Sequence, residues 1–156
     1  MLRWLWLSGA IIVLDQLTKL AADHWLTLYA ARPVLPMFNL TLVYNEGAAF
    51  SFLSSAGGWQ RWFFIVLALG VSTVIVVWLR GLPRDQRWTA AGLALILGGA
   101  IGNVIDRIWH GHVIDFIDVY YDRYHWPAFN IADSGITVGA AILIVHGLFF
   151  QREHKR

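Results

Sequence analysis

From Trp62 to Leu79, and again from Trp88 to Ile105, the chain runs without one charged residue. A helix needs about 20 predominantly apolar residues to cross a bilayer, and two such runs this close together leave little polar surface to solvate a helix in water. Two further segments, about 131–150 and about 2–26, have the same character, the latter interrupted by Asp15 and Lys19. With 58% hydrophobic and 14% charged residues in 156, the composition is too apolar for an ordinary soluble domain. The expected fold is an all-α membrane protein, one domain over 1–156, with four transmembrane helices at about 2–26, 60–79, 88–107 and 131–150.

Composition narrows the chemistry. There is no cysteine, which removes disulfides, thiolate-bound zinc and a cysteine nucleophile. A net charge of +2, with basic residues gathered in the short polar breaks, argues against nucleic acid as a partner. Aromatic residues suit both interfacial belts and helix packing, and assign no function. The apolar N-terminal stretch resembles a secretory signal, but a cleavable apolar region would carry neither Asp15 nor Lys19. Four residues apart on one helical face, these two are expected to neutralise each other inside a bundle, with Asp15 a candidate brace for an active site.

Orientation follows from Lys and Arg in the breaks. Seven (Arg3, Arg80, Arg84, Arg87, Arg152, Lys155 and Arg156) fall on one side and four (Arg32, Arg61, Arg107 and Arg123) on the other. This asymmetry predicts cytoplasmic termini and outward-facing long connections. Gly98 and Gly102, like Gly135 and Gly139, stand four apart, a spacing expected to let the third and fourth helices approach closely.

The first outward connection alternates: Phe38, Leu40, Leu42 and Tyr44 against Asn39, Thr41 and Val43, then Asn45-Glu46-Gly47. This predicts a small sheet within about 33–56, a hairpin whose return strand is Phe50 to Leu53. Asn45 reads either as a turn residue or as an amide that binds an extended peptide added to the sheet edge. In the second connection, Asn103, Asp106 and Arg107 share a helical face, and Arg107 is expected to hold a carboxylate or a carbonyl. His110, His112, Asp115 and Asp118 follow. Their residue types suit zinc, but no helix-spaced His pair is present to set the geometry, and Asp118 reads as a solvated loop acid.

Asp115, in HGHVIDF, and Asp133, in FNIADSG, flank the entry to the last span. An Asp at membrane depth costs about 2.5–3.5 kcal/mol, so its presence needs a reason. Two carboxylates sharing one proton supply acid and base together, without metal or cofactor.

Together, DQLTK (15–19), YNEGAAFSF (44–52), GNVIDR (102–107), GHVIDF (111–116) and FNIADSGITVG (129–139) resemble lipoprotein signal peptidase, the bacterial signal peptidase II. The match runs in order through nearly the whole chain. The resemblance implies an intramembrane aspartyl endopeptidase of the bacterial inner membrane, with an extracytoplasmic β-cradle and a short amphipathic surface helix. It implies cleavage of prolipoproteins just before a diacylglyceryl-modified cysteine, among membrane lipids, and sensitivity to the antibiotic globomycin. Carried over, the catalytic pair is Asp115 and Asp133, and the supporting set is Asp15, Asn45, Gly47, Asn103, Asp106, Arg107 and Asn130. Competing classes fit less well. A proton-coupled transporter finds buried acids but no inverted repeat, an adaptor leaves the paired acids unexplained, and a Ser134 nucleophile lacks an elbow motif.

Overall fold

The computed structural model describes residues 1–47 and 58–149. A 3-10 turn at Leu2–Trp4 leads into helix α1 (Leu5–Trp25), followed by strands β1 (Ala31–Leu35) and β2 (Phe38–Asn45). Helices α2 (Trp59–Gly81) and α3 (Arg87–Trp109), strands β3 (Val113–Tyr121) and β4 (Tyr124–His125), and helix α4 (Ile131–Phe149) complete the chain. Among the described residues four helices are long and apolar enough to cross a membrane. Helices suit that role because every interior backbone group is satisfied within the segment. The expected return strand Phe50 to Leu53 lies outside the described residues, and no short surface helix occurs among those described.

Helix α3 is the central pole, 72% buried over its most apolar stretch, whereas α1, α2 and α4 are 22%, 22% and 17% buried. Lipid is as apolar as leucine, so close packing drives association here, and glycine supplies it. The expectation for the glycines holds on α4, where a Cβ on Gly135 would meet the Leu95 carbonyl and one on Gly139 the Gly92 carbonyl of α3, but needs correction for the pair on α3. A Cβ on Gly98 would meet the Ser8 carbonyl and Ile11 of α1, and one on Gly102 would meet Asp15, so both face α1 as well as the bundle interior. The α3 glycines against α4 are Gly92, opposite Gly139, and Gly99, opposite Ala132. Rotation of α3 about its axis decides which glycine meets which neighbour, and four-residue spacing does not reveal it.

The sheet is larger than a hairpin: four antiparallel strands in the order β1-β2-β3-β4. Helix α3 ends at His110, and Gly111, at φ +83°, turns the chain into β3, a conformation glycine adopts without Cβ strain. β3 pairs with β2 through Leu40↔Ile117, Val43↔Asp115, Tyr44↔Ile114 and Asn45↔Val113. Between the first two pairs β2 advances three residues and β3 two, so a bulge in β2 resets the register beside Asp115. Leu42, Ile114 and Phe116 bury with Ala22 against the end of α1; each large side chain there contributes about 1.5–3 kcal/mol.

Asp118 is not a solvated loop acid. It lies buried in β3 (6% exposed), accepts from Asn39 Nδ2 at 3.1 Å and Thr41 Oγ1 at 3.2 Å, and meets His125 Nδ1 at 2.8 Å. Burial raises its carboxyl, but hydrogen bonds from His125, Asn39 and Thr41 outweigh it and hold the group below the usual value. It ties three strands together.

Candidate active site

Two elements converge on one cavity. After β4 the chain runs back along β3, where Ile117 and Phe129 exchange backbone hydrogen bonds at 2.9 and 3.1 Å. This pairing sets Asn130 beside Asp115 just before α4 begins. Asn130 then caps α4: its Oδ1 accepts the backbone N–H of Asp133 at 2.9 Å, satisfying one of the helix's orphan donors. The helix start therefore aims Asp133 at β3, and both carboxylates line a cavity with Asn45, Gly47, Asn103, Arg107, Phe129 and Ile136.

Each carboxylate is held by an asparagine amide. Asp115, 2% exposed, accepts Asn130 Nδ2 at 2.7 Å on Oδ1 and Asn45 Nδ2 at 3.0 Å on Oδ2. Asp133 Oδ1 accepts Asn103 Nδ2 at 2.8 Å. Burial, and then the charge of Asp133, push the Asp115 carboxyl up to about 7, against the lowering effect of Asn45, Lys19 and Asn130. A carboxyl so placed keeps its proton near neutrality.

Asn45 does not act through a free amide. Its Nδ2 is on Asp115 and its Oδ1 accepts the Gly47 N–H at 3.1 Å, so it closes a local turn and orients the acid at once. Arg107 finds the expected carbonyl: Nη2 donates to Gly47 O at 3.0 Å, and the guanidinium lies 5.0 Å over the Phe64 ring. It is not a headgroup-seeking cation; it fastens the end of β2 to α2 and α3.

A second polar layer lies beneath. Lys19 meets Asp15 Oδ2 and Asp106 Oδ2, both at 2.8 Å. Asp15 Oδ1 accepts the Ala132 N–H at 2.8 Å, and Asp106 Oδ2 accepts the Ile114 N–H at 3.1 Å. Sequence reasoning placed Asp15 with Lys19 but not Asp106 with either, and it missed Gln16, whose Nε2 donates to Asp106 Oδ1 at 2.8 Å. Only the shared helical face of Lys19 and Asp15 hinted at this layer. His112 stacks on Tyr44 at 4.2 Å, and among the described residues no three His, Asp or Glu side chains are placed to hold a metal ion.

Comparison with known proteins agrees with this geometry. A sequence model of the Signal peptidase (SPase) II family matches residues 7–149. The lipoprotein signal peptidase of Alteromonas mediterranea is 56% identical over 92% of this chain and 79% of its own length. That of Aeromonas hydrophila is 52% identical over 99% of this chain and 92% of its own. A solved structure, described as a bacterial membrane enzyme determined by the in meso method, superposes with a TM-score of 0.86 at 28% identity, covering 99% of this chain and 93% of that one. With four membrane-length helices, a small antiparallel sheet and two aspartates on one cavity, the chain belongs to the signal peptidase II family, and is a peptidase.

Proposed function

We propose that this chain is an aspartic endopeptidase of the bacterial cytoplasmic membrane that removes signal peptides from prolipoproteins, cutting just before the diacylglyceryl-modified cysteine. One observation carries the reading: Asp115 and Asp133 line the same cavity and are joined through Asn130, which binds one carboxylate and caps the backbone of the other. The relatives' name, lipoprotein signal peptidase, supports the substrate class. The excess of Lys and Arg in the breaks on the side of the termini supports both termini in the cytoplasm, with the sheet and dyad toward the extracytoplasmic face.

Like charges lining one cavity do not both ionise cheaply, so the reaction starts with one proton shared between the two carboxyls. The ionised member takes a proton from a water that attacks the scissile carbonyl carbon. The protonated member gives its proton to the carbonyl oxygen, so the intermediate is a neutral gem-diol. Collapse returns a proton to one carboxylate while the other protonates the departing amine. Asn45, Asn103 and Asn130 keep the carboxylates aimed; the contact of Arg107 with the Gly47 carbonyl holds the end of β2, where Asn45 lies. No metal or organic cofactor enters these steps.

Substrate placement uses both sheet and lipid. β1 pairs with β2 only from Phe38 to Thr41, and beyond the Leu28–Leu42 bridge Val43, Tyr44 and Asn45 line the cavity. An extended signal-peptide segment fits along that stretch by strand addition. The diacylglyceryl chains anchor the cleavage point at the membrane, at about 0.8 kcal/mol per buried methylene. A globomycin-type inhibitor would occupy the same cavity.

The test compares a precursor peptide bearing diacylglyceryl cysteine with the same peptide lacking the lipid, in bilayers with and without chelator. Cleavage immediately before the modified cysteine, strongly favouring the lipidated peptide and indifferent to chelator, is expected. Equal cleavage of both peptides, or loss of activity on chelation, would refute the reading.

A further inference from the structure

Lys19 carries no role in the reaction steps described so far, yet its ammonium is fully buried with every donor engaged. It is 1% exposed, and its three donors match three acceptors: Asp15 Oδ2 and Asp106 Oδ2 at 2.8 Å and Asn103 Oδ1 at 3.0 Å. Each acceptor leads to the dyad by a separate route. Asp15 holds the backbone N–H of Ala132, the residue before Asp133. Asp106 holds the backbone N–H of Ile114, the residue before Asp115. Asn103 donates its Nδ2 to Asp133.

We infer that Lys19 is a positioning residue for the proposed proteolysis: one buried ammonium that fixes the backbone ahead of both aspartates and sets the amide of Asn103 so that its nitrogen faces Asp133. This inference rests on the aspartic-peptidase reading. The third route separates it from ordinary charge neutralisation. An asparagine amide presents oxygen at one end and nitrogen at the other. With Lys19 and Asn130 Nδ2 both donating to Asn103 Oδ1, only one orientation satisfies the group. Without Lys19 the oxygen keeps only the 3.3 Å contact from Asn130, and the amide is free to turn its oxygen toward Asp133, where it repels an ionised carboxylate.

Neutralisation is nevertheless needed. Asp15 and Asp106 each approach the same nitrogen from opposite helices, and removing a cation from a buried cluster leaves uncompensated charge. A single substitution therefore mixes positioning with folding, and a second variant is required. Lys19→Met keeps the unbranched apolar stem, one atom shorter, and removes the charge. In Lys19→Met/Asp106→Asn, the new amide oxygen still accepts from Ile114 and its nitrogen takes the place of Oδ1 opposite Gln16, whose own amide can turn its oxygen to meet it; both backbone holds survive with one buried negative charge fewer, while the link to Asn103 stays broken.

The experiment measures thermal unfolding, kcat and KM for the parental enzyme, Lys19→Met, Lys19→Met/Asp106→Asn, Asp115→Asn and Asp133→Asn in bilayers on a lipidated precursor peptide. Misplacing a reacting group by 1 Å can cost about 10²-fold in rate. The expected result is that Lys19→Met loses stability and about 10²-fold in kcat. The double variant should recover stability while its kcat remains at least about 10-fold low at near-parental KM. Parental kcat in either variant, a loss confined to KM, or a double variant that fails to fold would overturn the inference, the last by assigning Lys19 to the fold alone. Cleavage by Asp115→Asn and Asp133→Asn at parental rates would instead overturn the aspartic-peptidase reading itself, so the two failures are distinguishable.

Discussion

Asn130 places its amide nitrogen 2.7 Å from Asp115 Oδ1 and, through its amide oxygen, takes the backbone N–H of Asp133 at 2.9 Å. A helix cap is thus also the link between two acids that lie on different elements. The same Nδ2 reaches the Ile114 carbonyl at 3.2 Å, so Asn130 holds the backbone of β3 as well as its carboxylate. Stability of the α4 start and geometry of the dyad are one and the same arrangement.

Replacing Asn130 with alanine should therefore damage both. Loss of a cap costs about 0.5–2 kcal/mol, and loss of the link should lower kcat by about 10²-fold. Thermal unfolding and turnover of a lipidated precursor, measured on one preparation, check this. A melting temperature that falls while kcat is unchanged would show that Asn130 serves α4 alone.

The raised Asp115 carboxyl makes both stability and activity depend on pH. Its folded-state value, about 7 against 3.8 for the free group, means that its contribution to stability is fully present below about pH 4 and is lost as pH rises through about 7. Asp115→Asn, which does not ionise, should gain stability relative to the parental protein over that window. The ceiling is about 4 kcal/mol at 1.36 kcal/mol per unit, reduced by the acceptor the substitution removes. Activity should fall above about pH 7, where Asp115 gives up its proton. Unfolding scans at several pH values, paired with a pH–rate profile, test both signs.

Glycines on the helices should matter according to what faces them. A Cβ on Gly102 would lie 2.7 Å from Asp15 Oδ2, whereas one on Gly147 meets nothing within 4 Å. Gly102→Ala must push Asp15 away from the Ala132 N–H and should cost at least about 10-fold in kcat, because Asp133 follows Ala132 directly. Gly147→Ala should behave as the parental protein. Equal kcat for both would mean that Asp15 does not help to place Asp133.

Arg107 is expected to resist conservative exchange. Its guanidinium donates to the Gly47 carbonyl and lies over Phe64, a combination that a compact ammonium does not reproduce. Arg107→Lys should loosen the end of β2 that carries Asn45 and lower kcat/KM about 10-fold at nearly unchanged stability. Steady-state kinetics with a melting curve decide it; parental kinetics would show that the Gly47 anchor is dispensable.

The helices were legible because a run such as Trp62 to Leu79 has one physical solution in lipid. The Asp15–Lys19 pair was legible from four-residue spacing alone, since both ends lie on one helix. β3 was not read from the sequence. Its residues, VIDFIDVYY, carry the β-branched and aromatic content of a strand, but Asp115 and Asp118 drew attention to chemistry and a loop, and the strand is buried on both faces near its start, which masks alternation. Partners far apart in the chain were beyond reach for another reason. Lys19 meets Asp106, and Gly98 meets Ser8, only once α1 and α3 are rotated into register, which packing decides and spacing does not. The turn reading of Asn45 is borne out by its contact with the Gly47 N–H, but its second partner, Asp115, comes from a strand that had not been recognised.

The central claim is that Asp115 and Asp133 together perform the hydrolysis. Its most direct test is single-turnover cleavage of a lipidated precursor by Asp115→Asn and by Asp133→Asn, each shown by its melting curve to be folded. Both variants should lose cleavage to background, because a dyad deprived of either carboxyl lacks an acid or a base. Cleavage at the parental rate by either folded variant would contradict the account.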